Sequence, residues 1–228
     1  MRIKVDINIK NLNINRIIKF FLISDLFLLG GWGLISPIFA IFLTQKIPGA
    51  NLFIVGSVAS VYLITKSLVQ VPVAVALDRH EGEKDDFYTL VLGTTMAGFT
   101  AIAFLLVHDI FTVYLVAFMQ GLSFALYAPS WSAIFSRHLD KDHYAFDWSL
   151  DSTTIGLSSG IAAFVGGAAA KVFGFEVVFI LASIMSFASA FLLLMVPNLV
   201  LPKATLRIPS FKSPFFKESS PVNIEIQK

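Results

Sequence analysis

Apolar residues come in six long blocks separated by short polar breaks. The blocks lie near residues 17–43, 52–77, 87–107, 110–135, 148–172 and 175–197. A bilayer core about 30 Å thick takes roughly 20 apolar residues of helix to cross, and every block meets that length. None sustains the two-residue alternation of a strand, and an open strand would leave its backbone unsatisfied in lipid. The blocks therefore predict six membrane-spanning helices. The breaks read QKIPGAN, DRHEGEKDD, HD, SRHLDKDHYAFD and GFE. Residues 1–16 are polar and basic, and residues 198–228 are rich in Pro, Ser and Lys, which predicts a flexible tail. The expected organisation is an N-terminal segment 1–16, a transmembrane domain 17–197 and a tail 198–228.

Composition agrees with a chain that lives in lipid. Charged residues are 14% and hydrophobic ones 56%, where soluble domains are about a quarter charged. The absence of cysteine removes disulfides, thiolate metal ligands and a catalytic thiol from consideration. The first apolar block follows a long polar stretch, and no small-residue cleavage site succeeds it, so no cleavable leader is expected. Placement of charge matters more than the net +2. Fourteen of the 17 Lys and Arg fall before the first span, in the second and fourth loops, or in the tail. The opposite side has only Lys46 and Lys171, and Lys66 lies within a span. The positive-inside rule then places both termini in the cytoplasm, with the chain in the plasma (inner) membrane.

Spans one and four share a pattern. The first contains GGWGLISPIFAIF (30–42), the fourth GLSFALYAPSWSAIF (121–135). Each runs from glycine through a mid-helix proline, Pro37 or Pro129, to an aromatic-rich end in Ile-Phe. Three spans apart, they run in opposite directions. Matched Gly- and Pro-interrupted helices point to a 3+3 inverted repeat around a central site.

Helical periodicity then sorts the polar residues. Asp25, Trp32 and Ser36 share one face of the first span, and Tyr62, Lys66 and Gln70 one face of the second. Gln120, Phe124, Tyr127 and Trp131 line up on the fourth. The fifth divides into an acidic side, Asp147, Asp151, Ser158 and Ala162, and a small-residue side, Gly156, Gly160, Ala163 and Gly167. The second side suits close helix packing. An isolated charge at mid-bilayer costs about 2.5–3.5 kcal/mol on insertion scales, so Lys66 requires a partner or water. Asp25 and Asp151 lie nearer the cytoplasmic end, within reach of a snorkelling lysine. If both carboxylates face one cavity, the lysine neutralises one and the other is free to titrate, which is the minimum apparatus for proton coupling. The alternative is a fixed ion pair that locks two helices. The aromatic face of the fourth span is either a binding wall or ordinary packing.

These features resemble the N-terminal six-helix half of a major facilitator superfamily transporter, over about residues 17–197. The resemblance rests on the topology, on GGWGLISPIFAIFL, on QGLSFALYAPSWSAIFSRHLDK and on GIAAFVGGAAAKVFGFEVVF. It implies secondary transport of a small solute by alternating access, with no cofactor. The family carries a Gly-x-x-x-Asp-Arg-x-Gly-Arg-Arg motif between its second and third helices, whose charges latch two halves together. ALDRHEGEKDD supplies Asp78, Arg79, Gly82 and Lys84 as matching types. Ala74 replaces the first glycine, one residue is inserted before Gly82, and Glu83 stands where arginine is expected. On the reading of the helix faces Asp25, Lys66 and Asp151 carry coupling or gating. Trp32, Ser36, Tyr62, Gln70, Gln120, Tyr127 and Trp131 line the pathway, Asp78, Arg79 and Gly82 form the latch, and Gly156, Gly160 and Gly167 pack helices. The family has twelve spans and this sequence six, so a homodimer, a second six-span half, or a truncated product without transport is implied.

Other classes fit less well. An intramembrane protease needs a histidine base on a span after its serine; the last histidine, His143, precedes GLSSG (156–160) and lies in a loop. The remaining histidines, His80, His108 and His138, sit at span ends and support no metal cluster. There is no phosphate-binding loop and no thrice-repeated carrier motif, and nothing points to nucleic acid. A non-transporting membrane scaffold, with a basic tail carrying Phe211, Phe215 and Phe216 on anionic lipid, stays open.

Overall fold

The computed structural model describes residues 14–79, 82–140 and 143–196. The tail at 198–228 and most of the N-terminal segment 1–16 lie outside the described residues. The described residues are helical and contain no strand. The first span is two helices, α1 (Arg16–Ile35) and α2 (Phe39–Lys46); then follow α3 (Leu52–Leu77), α4 (Lys84–Ala103), α5 (Ile110–Arg137), α6 (Tyr144–Phe173) and α7 (Phe175–Leu194). A short 3-10 turn, Phe104–Leu106, extends α4. Six of these segments are long and apolar enough to cross a membrane.

The boundaries follow local chemistry. The Asn15 side chain accepts from the Ile17 amide, and Asn51 from the Ile54 amide, each satisfying a donor left open at a helix start. Asp109 and Thr112 form a capping box ahead of α5. Gly174, at φ 89°, makes the sharp break between α6 and α7. The two matched prolines behave differently. Pro37 falls in the gap between α1 and α2, whereas Pro129 lies inside the continuous helix α5. A proline removes one helical N–H and crowds the carbonyl four residues back. On α5 the next residue, Ser130, donates its hydroxyl back to the Leu126 carbonyl, one residue beyond the Ala125 carbonyl that Pro129 leaves without its helical donor.

The packing has the symmetry that the repeat predicts. The main pairs are α1 with α6 and α7, α5 with α3 and α4, and α4 with α7. Exchanging spans one and four, two and five, and three and six maps this set onto itself. Both crossings of a repeat's first helix are close. A Cβ at Gly166 would stand 2.1 Å from the Leu34 carbonyl oxygen where α6 crosses α1. One at Gly121 would stand 2.7 Å from Thr65 Cβ where α5 crosses α3. Only glycine permits either approach.

Two aromatic clusters fill the bundle, one toward each end. Phe42, Phe104 and Phe179 anchor the first, with Phe42 and Phe179 edge to face 4.8 Å apart. Phe21, Phe87, Trp131 and Phe135 anchor the second, with Trp131 stacked on Phe135 at 4.4 Å. Buried serines tie helices across lipid-excluded interfaces: Ser24 bonds Ser189, and Ser123 and Ser183 donate to the carbonyls of Gly93 and Gly98.

Burial is uneven among the spans. In α3 and α6 only 11% of the most apolar stretch is buried, against 44–56% in the other four. On α6 the acidic side faces inward, with Asp147, Asp151 and Ala162 all buried. The small-residue side expected to pack helices makes no such contact within the chain: a Cβ at Gly156, Gly160 or Gly167 would meet nothing within 4 Å. The close-packing glycines are instead Gly33, Gly93, Gly98, Gly121 and Gly166.

Candidate functional site

A half-open cavity of about 330 Å³ lies between α1, α3 and α5. Trp32 and Ser36 reach it from the first span, Tyr62 from α3, and Gln120 with Phe124 from α5. The periodicity argument thus brings four of its seven pathway residues, Trp32, Ser36, Tyr62 and Gln120, to one wall. Phe124 is the hub: Trp32 meets it edge to face at 5.5 Å and Tyr62 at 5.9 Å. Trp32 and Phe124 each stand five residues before their span's proline, so the repeat brings its own equivalents together. The wall is apolar, with a few neutral donors and acceptors, which is the composition of a small-molecule site.

The remaining three pathway residues lie elsewhere. Gln70 lines a second, more open depression with Val71, Ala74 and Asp78. Trp131 is buried at the α1, α5 and α6 crossing, beside Phe21 and Trp148. Tyr127 is buried below Phe124 and donates its hydroxyl to Asp25 Oδ1 at 2.5 Å.

That hydrogen bond opens the acidic site. Asp25 on α1 is fully buried and Asp151 on α6 is 4% exposed. Their carboxyls lie within hydrogen-bonding reach of each other. Asp25 Oδ2 and Asp151 Oδ1 have no donor. The lysine expected between them is not there. Lys66 lies half-buried on α3, which packs on α5 rather than on α1 or α6. Among the described residues neither it nor any other cation is within ion-pair distance of the two carboxyls. The i, i+4 spacing places Lys66 beside Tyr62 correctly, but α3 packs on α5 and faces α1 only across the cavity.

The end of the bundle where α4 starts and α5 stops holds an ionic knot. Arg137 pairs with Asp86, which is almost fully buried on the first turn of α4. His138 Nδ1 lies 3.7 Å from Glu83. Burial holds the Glu83 carboxyl above the usual glutamate range, against the pull of His138 and Arg137. Asp140 accepts from the Asn15 amide, and its own amide donates to Asp147 Oδ2. Of the expected latch, Asp78 caps α3 and acts on Arg137 through its charge, Arg79 is exposed, and Gly82 adopts φ 110°. Residue-by-residue reading missed the Asp86–Arg137 pair. Its signal was present: in an antiparallel hairpin, an acid on the first turn of one span must meet a base on the last turn of the next.

Six membrane-length helices, three of which enclose a half-open cavity of aromatic and amide side chains, make this a polytopic membrane bundle. A family model described as the Major Facilitator Superfamily matches residues 21–222. The chain belongs to that superfamily. An uncharacterized MFS-type transporter of Methanocaldococcus jannaschii is 27% identical over 164 residues, which cover 69% of this chain and 41% of that protein. The crystal structure of the POT family transporter PepTSo superposes with a TM-score of 0.67 at 16% identity, over 82% of this chain and 39% of that one. At that identity the likeness speaks for the fold alone. The chain thus spans about two fifths of the relatives it matches.

Proposed function

We propose that the chain is one six-helix half of a secondary transporter that moves a small solute by alternating access, driven by protons. The carrying observation is the pair of open helices. The spans that the internal repeat makes equivalent, α3 and α6, are the two left unburied, and the cavity wall of Trp32, Tyr62, Gln120 and Phe124 is open. A second six-helix bundle seated on α3 and α6 closes the cavity into a pathway. That bundle is a second copy of this chain or a second six-span half. The Gly156, Gly160 and Gly167 side of α6 is then its contact surface, and Asp78, Arg79 and Gly82 latch the two bundles at the basic end. Both termini are cytoplasmic in the inner membrane, as the Lys and Arg distribution supports.

The natural sequence has no cysteine, so single-cysteine labelling is clean. Ser36 and Gln70 stand toward opposite ends of the cleft. A membrane-impermeant maleimide is expected to reach Ser36→Cys from the outer side and Gln70→Cys from the cytoplasmic side. A change of pH shifts the two rates in opposite directions. A scaffold without a pathway gives two lipid-facing cysteines that react from neither side.

A further inference from the structure

The structure assigns Asp25 and Asp151 to a single-proton site: one hydrogen is held between Asp25 Oδ2 and Asp151 Oδ1, with Tyr127 anchoring the other oxygen of Asp25. This deepens the proton-driven reading above and rests on it only for its role in transport.

The argument starts from what surrounds the two groups. From α5 the Tyr127 hydroxyl donates to Asp25 Oδ1. From α6 comes Asp151, with Asp147 one turn nearer the helix start. From α7 come only hydroxyls, Ser189 bonding Ser24 beside Asp25, and the sole ionisable residue of that helix, Glu176, is at its far end. On α1 itself Arg16 and Lys19 lie on its first turn. Lys66 on α3 makes no ion pair among the described residues. Among the described residues no cation therefore neutralises either carboxyl.

Two adjacent carboxylates in an apolar interior repel each other and each loses its hydration. A single hydrogen removes both problems. It converts the repulsion into a short charge-assisted O–H···O⁻ bond and leaves one delocalised charge, which the Tyr127 hydroxyl also stabilises. The two oxygens without a donor, Asp25 Oδ2 and Asp151 Oδ1, are the pair this hydrogen satisfies.

The site has a route and a mechanical consequence. By helical rise Asp25 lies roughly 13 Å beyond Arg16 and Asp151 roughly 10 Å beyond Tyr144, at the same end of the bundle. Asp147, buried and with Oδ1 free of a donor, is the step between Asp151 and that end. The hydrogen bridges α1 to α6, the helix that carries the open glycine side. Losing it restores repulsion across that crossing. A proton bound here is thus read out as the separation of α1 and α6.

Infrared difference spectroscopy of the full chain in lipid bilayers tests this without any solute. The carbonyl stretch of a protonated, buried carboxylic acid is expected in the wild type at neutral pH. Asp25→Asn and Asp151→Asn each remove it, since an amide replaces one member and the survivor ionises against the new N–H donor. Tyr127→Phe keeps the band and shifts its frequency, which also controls for folding. A wild type without the band overturns the assignment. So does a band that survives both Asn variants, or one that appears only when sodium is withheld, which would make the pair a cation site. None of these results touches the maleimide labelling of the pathway, so the two readings fail separately.

Discussion

The two crossings related by the internal repeat are both closed by a glycine, on the second helix in one and on the first in the other, and they are charged differently. Where α6 crosses α1, Gly166 lies against the Leu34 carbonyl, and the interface encloses Asp25 and Asp151. Where α3 crosses α5, Gly121 lies against Tyr62 and Thr65, and the next residue, Lys66, is left half-buried with no counter-ion among the described residues. Equivalent backbones have taken opposite charges and opposite solutions. One crossing hides two acids from lipid and solvent and lets them satisfy each other. The other leaves its base half-buried on α3, one of the two open helices. An intramembrane charge is costly in either place, so both settings point to use rather than accident.

The comparison breaks most visibly at the glycines. Gly166→Ala puts a methyl group into the Leu34 carbonyl, which nothing flexible can relieve, and should cost about 3 kcal/mol or more. Gly160→Ala, on the same helix but in open space, should leave the isolated bundle within about 0.5 kcal/mol of wild type. Thermal unfolding of the two variants in detergent checks both. Equal losses would mean that the α6 glycine side is packed after all.

Lysine sharpens the contrast at a smaller scale. With no ion pair to lose among the described residues, Lys66→Ala should change the stability of the bundle by no more than a surface substitution does, about 0.5 kcal/mol. It should nonetheless alter pH-dependent labelling at Gln70→Cys, which stands one turn away on the same face. A large loss of stability would show that Lys66 supports the acids, as the spacing of charges alone suggests.

Much of this was legible in the sequence, and the failures have a common cause. Six apolar blocks fix six helices, because length against bilayer thickness needs no tertiary information. The acidic side of α6 and the shared face of Trp32 and Ser36 follow from helical period alone. The repeat was visible in two prolines, though it took the packing pairs to show its symmetry, and Pro37 and Pro129 do not act alike. What periodicity cannot supply is which helices pack against each other. Lys66 and Asp25 are near each other in depth, yet α3 packs on α5, so the predicted ion pair does not form. Tyr127 and Trp131 share a face with Gln120, yet only the outer part of that face borders the cavity. The glycine side of α6 suits close packing, and one chain alone offers it no neighbour.

That unoccupied side decides the account. A photo-crosslinking amino acid placed at Ile161 on α6 should, in native membranes, give a covalent adduct with another six-helix bundle. The partner in the adduct is a second copy of the chain or another six-span bundle, and peptide mapping of the adduct identifies which. The same residue at Ile184 on α7, exposed to a similar degree, should give lipid adducts only. Protein adducts at Ile161 alone are the result predicted for a half that is completed across α3 and α6. Lipid adducts at both positions would contradict it and leave the cavity wall facing the bilayer.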